Sequence, residues 1–438
     1  MQSTFAGVET LLITIFLIGY AIIALEHRLH IDKAATAILI GTASWFVIFG
    51  MPLFTTGQVP PVIEEGLAHH LSEAASVLFF LLGAMTIVEV VDSYDGFQFV
   101  LRLLRVRNLW GFLGMLVGLT FFLSAVIDNL TATLLMVSLL QKAVSANQRN
   151  VRLLGSSLIV LAANSGGAWS PLGDVTTTML WIKGCITEAN VIKRVFLPSL
   201  MSVAVPFLVL GRLLRGAAVD VDRALSNLQE EIPQRVSLTV FLVGIGGILA
   251  VPILKLAFHV PPFLAMLLSM SIVWLTTEIL YRRLRNRVDD PVRLRVTSAL
   301  EKIDTPSLLF FLGILLAVGA LGQVGILRWA AEALSQAIPN LDIVVFLMGI
   351  LSAVIDNVPL VAASIEMFPL TDFPTDHRLW EFMAYAAGVG GNLLIIGSAA
   401  GVIAMGMEKI EFFWYLRRVS WIAFTGYAMG ALTYVLLA

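Results

Sequence analysis

The chain has 438 residues, of which 58% are hydrophobic and only 13% are charged, and its formal net charge is −2. A soluble domain carries roughly 25% charged residues, so this charge content excludes an ordinary water-exposed surface. The near-neutral charge excludes a basic surface for nucleic acid, and the single cysteine, Cys185, excludes a disulfide within the chain. The sequence predicts an integral membrane protein whose partner is the lipid bilayer, with no nucleic-acid partner and no cofactor.

Apolar segments follow one another along the whole chain, and many have about 18 to 22 residues, enough to cross a bilayer as a helix. Two of them, 108–143 and 341–366, are each interrupted by the dipeptide Asp-Asn, which is costly in a lipid-facing helix. A polar tip between two short apolar limbs predicts a re-entrant hairpin surrounded by protein or water. The other segments lie near 6–26, 34–50, 74–91, 153–182, 195–215, 236–256, 262–281, 305–322, 379–407 and 412–437.

An internal repeat relates the two interrupted segments. The sequence SAVIDN at 124–129 recurs at 352–357, and we call the shift from position 124 to position 352 the tip offset. The tip offset, applied without a gap, relates Asn164 to Asn392, Ser170 to Ser398 and Gly173 to Gly401, and leaves Asp174 opposite Val402. We therefore predict two homologous repeats, 5–216 and 236–438, joined by a charged cytoplasmic linker at 217–235.

The distribution of Lys and Arg predicts the orientation. Five crossings and one hairpin in each half require inverted repeats, because five is odd. With the N-terminus outside, the basic clusters fall on the cytoplasmic side, while loop 51–73 outside has three Glu and no Lys or Arg. The basic clusters occupy 28–33, 102–107, 142–152, 212–235, 282–295 and 409–418.

The predicted fold is an all-α polytopic membrane protein of two inverted repeats. It has about ten transmembrane helices, two re-entrant hairpins and two broken helices, with both termini outside. The first segment lacks a basic start and a small-residue cleavage site, so we interpret it as a span and not a signal peptide. The absence of a transit-like N-terminus favours a bacterial plasma membrane.

The broken helices lie at 163–178 and 390–401, where Gly-Gly, Pro and further Gly residues interrupt an apolar segment. Interruptions at matched positions of two halves indicate a transporter's binding site, so the two tips and the two broken helices should meet. These segments offer carboxylates, amides and hydroxyls but no Lys or Arg, which favours a small cation that competes with protons for the carboxylates. The tip residues predicted to bind Na⁺ are Asp128, Asn129, Asp356 and Asn357.

Structural roles for the same residues stay open at this point. Asp128, Asp356 and Asp174 could cap the helices that follow them. Thr176, Thr177 and Thr178 could bond to backbone, and Ser124 and Ser352 could be packing hydroxyls. Other functions also stay open: a carrier for dicarboxylate, arsenite or another oxyanion, or a channel. An enzyme is disfavoured, because the chain has no HExxH and no GxSxG motif.

The chain resembles the NhaD-type sodium/proton antiporters of the ion transporter superfamily over nearly its whole length. The motifs that carry the resemblance are SAVIDNLTAT at 124–133, ANSGGAWSPLGDVTTTM at 163–179, SAVIDNVP at 352–359 and GGNLLIIGSAAGVIAMG at 390–406. The resemblance implies exchange of cytoplasmic Na⁺ or Li⁺ for external H⁺, by a homodimer with an elevator-like transport domain. Position 392, where the family more often has Ser, is Asn here. The binding residues that the motifs imply are Asp128, Asn129, Asn164, Asp174, Thr176, Thr177, Ser352, Asp356, Asn357 and Ser398, and the repeat adds Asn392.

Overall fold

A computed structural model of the chain describes residues 8–24, 31–97, 109–145, 147–213, 232–285, 290–354 and 356–437. Within these ranges the chain is built of helices joined by turns and short loops, which confirms the prediction of an all-α fold. Most of the predicted linker 217–235 lies outside the described residues. The assignment of the chain to two repeats and a linker stays a prediction.

The helices are α1 Val8–Ala24, α2 Lys33–Thr56, α3 Pro61–Ser93, α4 Leu109–Ser124, α5 Asn129–Ala143, α6 Arg149–Ala168, α7 Val175–Ile182, α8 Glu188–Leu213, α9 Gln234–Phe258, α10 Pro262–Leu284, α11 Val296–Lys302, α12 Thr305–Val324, α13 Ile326–Ala337, α14 Leu341–Leu351, α15 Asn357–Met367, α16 Arg378–Gly390, α17 Ala399–Glu408 and α18 Phe412–Leu437.

Eight of the described helices are long and apolar enough to cross a membrane: α2, α3, α6, α8, α9, α10, α12 and α18. Helices α13 and α14 together meet the same criterion but are bent by 119° at the break between them. These spans confirm a polytopic membrane protein. The number of ten crossings and the re-entrant course of the tips stay predictions.

The helices form two groups that pack mainly within themselves. Bundle 1 consists of α1, α2, α3, α9, α10 and α12, and bundle 2 consists of α4 to α8, α14 and α16 to α18. Helix α15 lies between the groups, because it packs against α12 of bundle 1 and against α7 and α16 of bundle 2. The tip that precedes α15 is therefore placed at the boundary of the two bundles.

The polar residues that interrupt the apolar segments begin new helices. Asp128 caps α5 by accepting a hydrogen bond from the Thr131 N–H at 2.8 Å, and Asp356 caps α15 through the Val358 N–H at 3.2 Å. Ser398 caps α17 in the same way. Such caps satisfy N–H groups that have no partner in the first turn, which explains why the helices restart at these residues.

The tip offset holds for the tips but not for the broken helices. Ser124 Oγ donates to the Ala163 carbonyl at 2.6 Å, and Ser352 Oγ donates to the Ala387 carbonyl at 2.9 Å. The difference in residue number between Ala163 and Ala387 is smaller by four than the difference between Ser124 and Ser352. The half-helices α7 and α17, which begin at 175 and 399, are related by the same smaller shift, which we call the helix offset.

The glycine contacts follow the helix offset. Gly167 packs on the Gly173 carbonyl and Gly391 packs on the Gly397 carbonyl, with 2.6 and 2.8 Å from an added Cβ to the oxygen. The predicted equivalences of Asn164 with Asn392, Ser170 with Ser398, Gly173 with Gly401 and Asp174 with Val402 are therefore wrong. The contacts instead relate Asn164 to Gly388, Gly173 to Gly397 and Asp174 to Ser398.

Candidate cation site

One buried carboxylate joins the two tips. Asp174 is only 3% exposed and accepts a hydrogen bond from the Thr176 hydroxyl, 2.5 Å from Oδ2. The side-chain amide of Asn129, from the first tip, donates to Asp174 Oδ1 at 3.4 Å. The amide of Asn357, from the second tip, donates to Oδ2 at 3.3 Å. Asp174 stands at the start of α7 but makes no cap bond. Its carboxylate instead binds the Thr176 hydroxyl and the amides of the two tips.

The buried Asn164 side chain joins the two broken helices. Its Oδ1 accepts from Asn129 Nδ2 at 3.0 Å. Its Nδ2 donates to Asn392 Oδ1 at 2.9 Å and to Ser398 Oγ at 2.7 Å. The structure thus assembles seven of the predicted residues into one hydrogen-bonded group, which we call the polar network: Asn129, Asn164, Asp174, Thr176, Asn357, Asn392 and Ser398.

Asp128 and Asp356 lie beside the polar network and share no hydrogen bond with it among the described residues. Asp128 Oδ1 accepts the Thr131 N–H and Oδ2 accepts the Thr131 hydroxyl, both at 2.8 Å. Asp356 Oδ1 accepts the Val358 N–H, and Oδ2 lies 3.5 Å from the ammonium of Lys33. The capping role that the sequence left open is therefore present in both, and each carboxylate keeps lone pairs for a further ligand.

Thr177 and Ser352 are held by backbone carbonyls. Thr177 donates to the Ala168 carbonyl at 3.2 Å, and Ser352 donates to the Ala387 carbonyl. Ser352 and its counterpart Ser124 each fix the end of a tip limb to the adjacent broken helix. These hydroxyls connect neighbouring helices around the site. Within the described part of the chain, none of them forms a hydrogen bond with the polar network.

The arrangement suits a small hard cation. The amide oxygens of Asn129 and Asn357 accept no hydrogen bond among the described residues, so both can act as ligands. Carboxylate, amide and hydroxyl oxygens surround the network, and the caps on α5, α15 and α17 already satisfy N–H groups that would otherwise attract an anion. The same carboxylates can take up protons when no cation is bound.

Comparison with known proteins agrees with this chemistry. A model of the citrate transporter family matches residues 20–390. Sodium/proton antiporter 1 of Arabidopsis thaliana is 42% identical over 98% of this chain and 73% of the relative, and sodium/proton antiporter 2 of the same plant is 40% identical over 96% and 98%. The Na⁺/H⁺ antiporter NhaD of Alkalimonas amylolytica is 30% identical over 95% of this chain and 88% of the relative. The chain belongs to the NhaD-type sodium/proton antiporters.

Membership of the NhaD-type family confirms the resemblance seen in the sequence motifs. The family consists of secondary transporters, so this chain is a transporter and not an enzyme. The match to the citrate transporter model covers residues 20–390 and places the chain in that family as well.

Sequence reasoning missed four residues of this candidate site. Ser165 Oγ accepts from Asn392 Nδ2 at 3.3 Å and from Ser202 Oγ at 2.9 Å, and the Tyr415 hydroxyl donates to the Asn392 carbonyl at 2.9 Å. For Lys33 the sequence indicates only a role in orientation, as part of a basic cluster. Ser165 lies within a motif and could have been found there. Ser202 and Tyr415 lie in segments with no pattern that marks them.

The first prediction concerns Asn164, which connects the broken helices. Replacing Asn164 by Ala should reduce exchange at least about tenfold, because three buried partners lose a hydrogen bond. The Asn392 side-chain oxygen then has no other donor among the described residues, and an unsatisfied buried acceptor costs about 1–3 kcal/mol. Initial rates in reconstituted vesicles would measure this. Asn340→Ala is the matched control, since Asn340 caps α14 away from the network. Equal losses in both variants would contradict a role for the network.

Proposed function

We propose that this chain exchanges cytoplasmic Na⁺ (or Li⁺) for external H⁺. The observation that carries the proposal is the buried carboxylate of Asp174, on which amides from both tips converge. Ionisable residues inside a membrane protein mark ion pathways by default. The polar network has no Lys or Arg member, so it supplies negative charge with no fixed counter-charge of its own. The relatives named as sodium/proton antiporters support the same cargo.

The alternative is an anion carrier of the same superfamily, and the name of the matching family model points in that direction. An anion would have to approach Asp128, Asp174 and Asp356, all of which repel it when ionised. The only ammonium recorded beside these carboxylates among the described residues is Lys33, which already faces Asp356. The geometry therefore favours a cation.

The proposed cycle starts from the cytoplasm. Na⁺ binds at Asp128 and Asp356 with the amide oxygens of Asn129 and Asn357 and with carbonyls of the broken helices, and it displaces protons. Protons arriving from outside then occupy the carboxylates and release Na⁺ on that side. One carboxylate cannot hold a proton and neutralise Na⁺ at the same time, so the two fluxes are coupled by competition. Asp174 holds both tips throughout.

The movement we propose is of the elevator type, in which bundle 2 shifts relative to bundle 1. Support comes from the packing, because the polar network lies in bundle 2 and in α15, and α15 faces α12 of bundle 1. A homodimer would place its interface on bundle 1. There α9 and α10 have the smallest buried share of all span candidates in the described residues, 22% and 28%.

We also propose the predicted topology, with both termini outside. Three ion pairs support it, since each joins residues that the Lys and Arg distribution puts on the same side. The location we propose is a bacterial plasma membrane, although relatives occur in both a plant and bacteria. The pairs are Arg152 with Glu408 and Lys302 with Glu89 on the cytoplasmic side, and Arg378 with Asp342 outside.

The experiment that tests the proposal uses everted vesicles from cells that lack their own antiporters. Respiration acidifies the lumen, and Na⁺, Li⁺ or K⁺ is then added while a pH-sensitive dye is followed. The wild type should give dequenching with Na⁺ or Li⁺. Asp128→Asn and Asp356→Asn should each reduce it at least about tenfold, since a hydrogen-bonded charge contributes about 1.5–3 kcal/mol.

The vesicle assay also separates the alternatives. Dequenching that persists in both variants would remove the tips from the mechanism. No dequenching with any cation between about pH 7 and 9, in correctly inserted protein, would exclude the antiporter and bring uptake of citrate or arsenite forward as the next measurement.

A further inference from the structure

Lys33 begins α2 in bundle 1 and places its ammonium at the second tip. Its Nζ lies 3.5 Å from Asp356 Oδ2 and 4.7 Å above the centroid of the Phe310 ring, which belongs to α12. The Lys33 and Asp356 side chains are 31% and 25% exposed, so the pair is partly shielded from solvent. This ion pair connects the two bundles at a predicted cation ligand.

The two tips differ at this point. Both oxygens of Asp128 are bonded to Thr131, one to its N–H and one to its hydroxyl. In the second tip the residue at the corresponding position is Pro359, which has no N–H and no hydroxyl. Asp356 Oδ2 is thus left without the partner that Asp128 Oδ2 has, and the Lys33 ammonium takes that place.

Helix stability does not explain why a lysine stands here. Lys33 is the first residue of α2, and the N-terminus of a helix carries a partial positive charge that disfavours a cation by roughly 0.3–1 kcal/mol. The cap is supplied by Asp32, which accepts the Ala34 N–H at 2.7 Å. The favourable contacts of the ammonium are those with Asp356 and Phe310, both of them outside its own helix.

We propose that Lys33 is a tethered cation that competes with Na⁺ for Asp356 and thereby couples exchange. When Asp356 is ionised and holds no Na⁺, the ammonium neutralises it and links bundle 2 to bundle 1 through α15. Na⁺ or a proton at Asp356 removes the charge that holds Lys33, and the bundles are free to move. The carrier with an ionised Asp356 and no Na⁺ therefore stays on one side of the membrane. Na⁺ then cannot cross unless protons are carried in the opposite direction. This inference rests on the proposed Na⁺/H⁺ exchange.

The test uses purified protein reconstituted into vesicles, with ²²Na⁺ uptake and proton movement measured in parallel. In Lys33→Met the Na⁺ concentration for half-maximal flux should fall by about twofold to fivefold, the effect expected when a partly exposed ion pair no longer competes. The number of protons moved per Na⁺ should also fall below the wild-type ratio, because the empty carrier can now return. Lys33→Arg keeps the charge and should behave as the wild type.

Lys302→Met is the matched control, because Lys302 pairs with Glu89 in the part of the molecule away from both tips. The inference would be overturned if Lys33→Met kept the wild-type Na⁺ concentration for half-maximal flux and the wild-type number of protons moved per Na⁺. It would also be overturned if Lys302→Met showed the changes expected of Lys33→Met. If Lys33→Met is inactive, thermal stabilisation by Na⁺ is measured on the detergent-purified variant instead. Stabilisation at the same Na⁺ concentrations as the wild type would again overturn the inference. Absence of exchange in the wild type would instead overturn the proposed function, and the inference with it.

Discussion

Replacing Asp174 by Asn should abolish Na⁺-dependent proton movement, with a loss of at least about a hundredfold. The asparagine keeps the shape of the side chain but offers one acceptor oxygen where the carboxylate offers two. Its NH₂ would then face the amide of Asn129 or of Asn357, both of which already donate at this position. Each lost bond to a charged acceptor removes about 1.5–3 kcal/mol, so two together exceed the hundredfold limit.

Initial rates in reconstituted vesicles at saturating Na⁺ would measure this loss. Asp304→Asn is a suitable control, because Asp304 caps α12 through Ser307 and lies outside the polar network. That variant should transport normally, at a cost of about 1 kcal/mol in stability. Transport by Asp174→Asn at more than a tenth of the wild-type rate would show that exchange does not require Asp174 to hold the two tips.

Replacing Gly390 by Ala should disrupt the site by separating helices. An added Cβ at Gly390 overlaps the Gly349 carbonyl oxygen of α14, and the backbone on both sides belongs to packed helices that cannot yield locally. Inserting a methyl group into a filled interior costs about 1–3 kcal/mol, and more where backbone atoms are struck. We expect loss of exchange and a lower melting temperature of the detergent-purified protein.

Gly406→Ala provides the comparison, since Gly406 is exposed on α17 and an added Cβ there meets nothing within 4 Å. Alanine favours a helix over glycine by up to about 1 kcal/mol, so this variant should be as stable as the wild type or slightly more so. A melting temperature for Gly390→Ala within error of that for Gly406→Ala would mean that α14 and α16 can move apart without loss.

The sequence predicted the class of fold and most residues of the candidate site, because both depend on local patterns. Charge-free runs identify spans, and Asp-Asn or Gly-Gly inside such runs identifies the breaks. The structure brings seven of the predicted residues into one network, including the asparagines Asn129, Asn164 and Asn357. The sequence could not separate the tip residues outside the polar network, Asp128 and Asp356, from those inside it, Asn129 and Asn357. That distinction depends on which partner each side chain faces in three dimensions.

Other features could not be predicted from one sequence. Lys33 belongs to a basic cluster that predicts orientation, and nothing in its neighbourhood indicates that it contacts a residue in the other half of the chain. The tip offset was supported by identical residues, whereas the helix offset rests on small residues packing on carbonyls. Gly388, which corresponds to Asn164, has no side chain, and Ser398, which corresponds to Asp174, has a hydroxyl in place of a carboxylate.

For the two homologous repeats that the sequence predicts, the difference between the tip offset and the helix offset would be a difference in length between each tip and its broken helix. A helix turns by about 100° per residue, so losing one or two residues would have rotated α16 until its small residues faced away from α14. A loss of four residues rotates it by about 400°, which returns nearly the same face to the same neighbour. This fold therefore tolerates insertions or deletions of about one helical turn at this place. Alignments of distant relatives should show gaps of four residues, and not of two, between each tip and its broken helix.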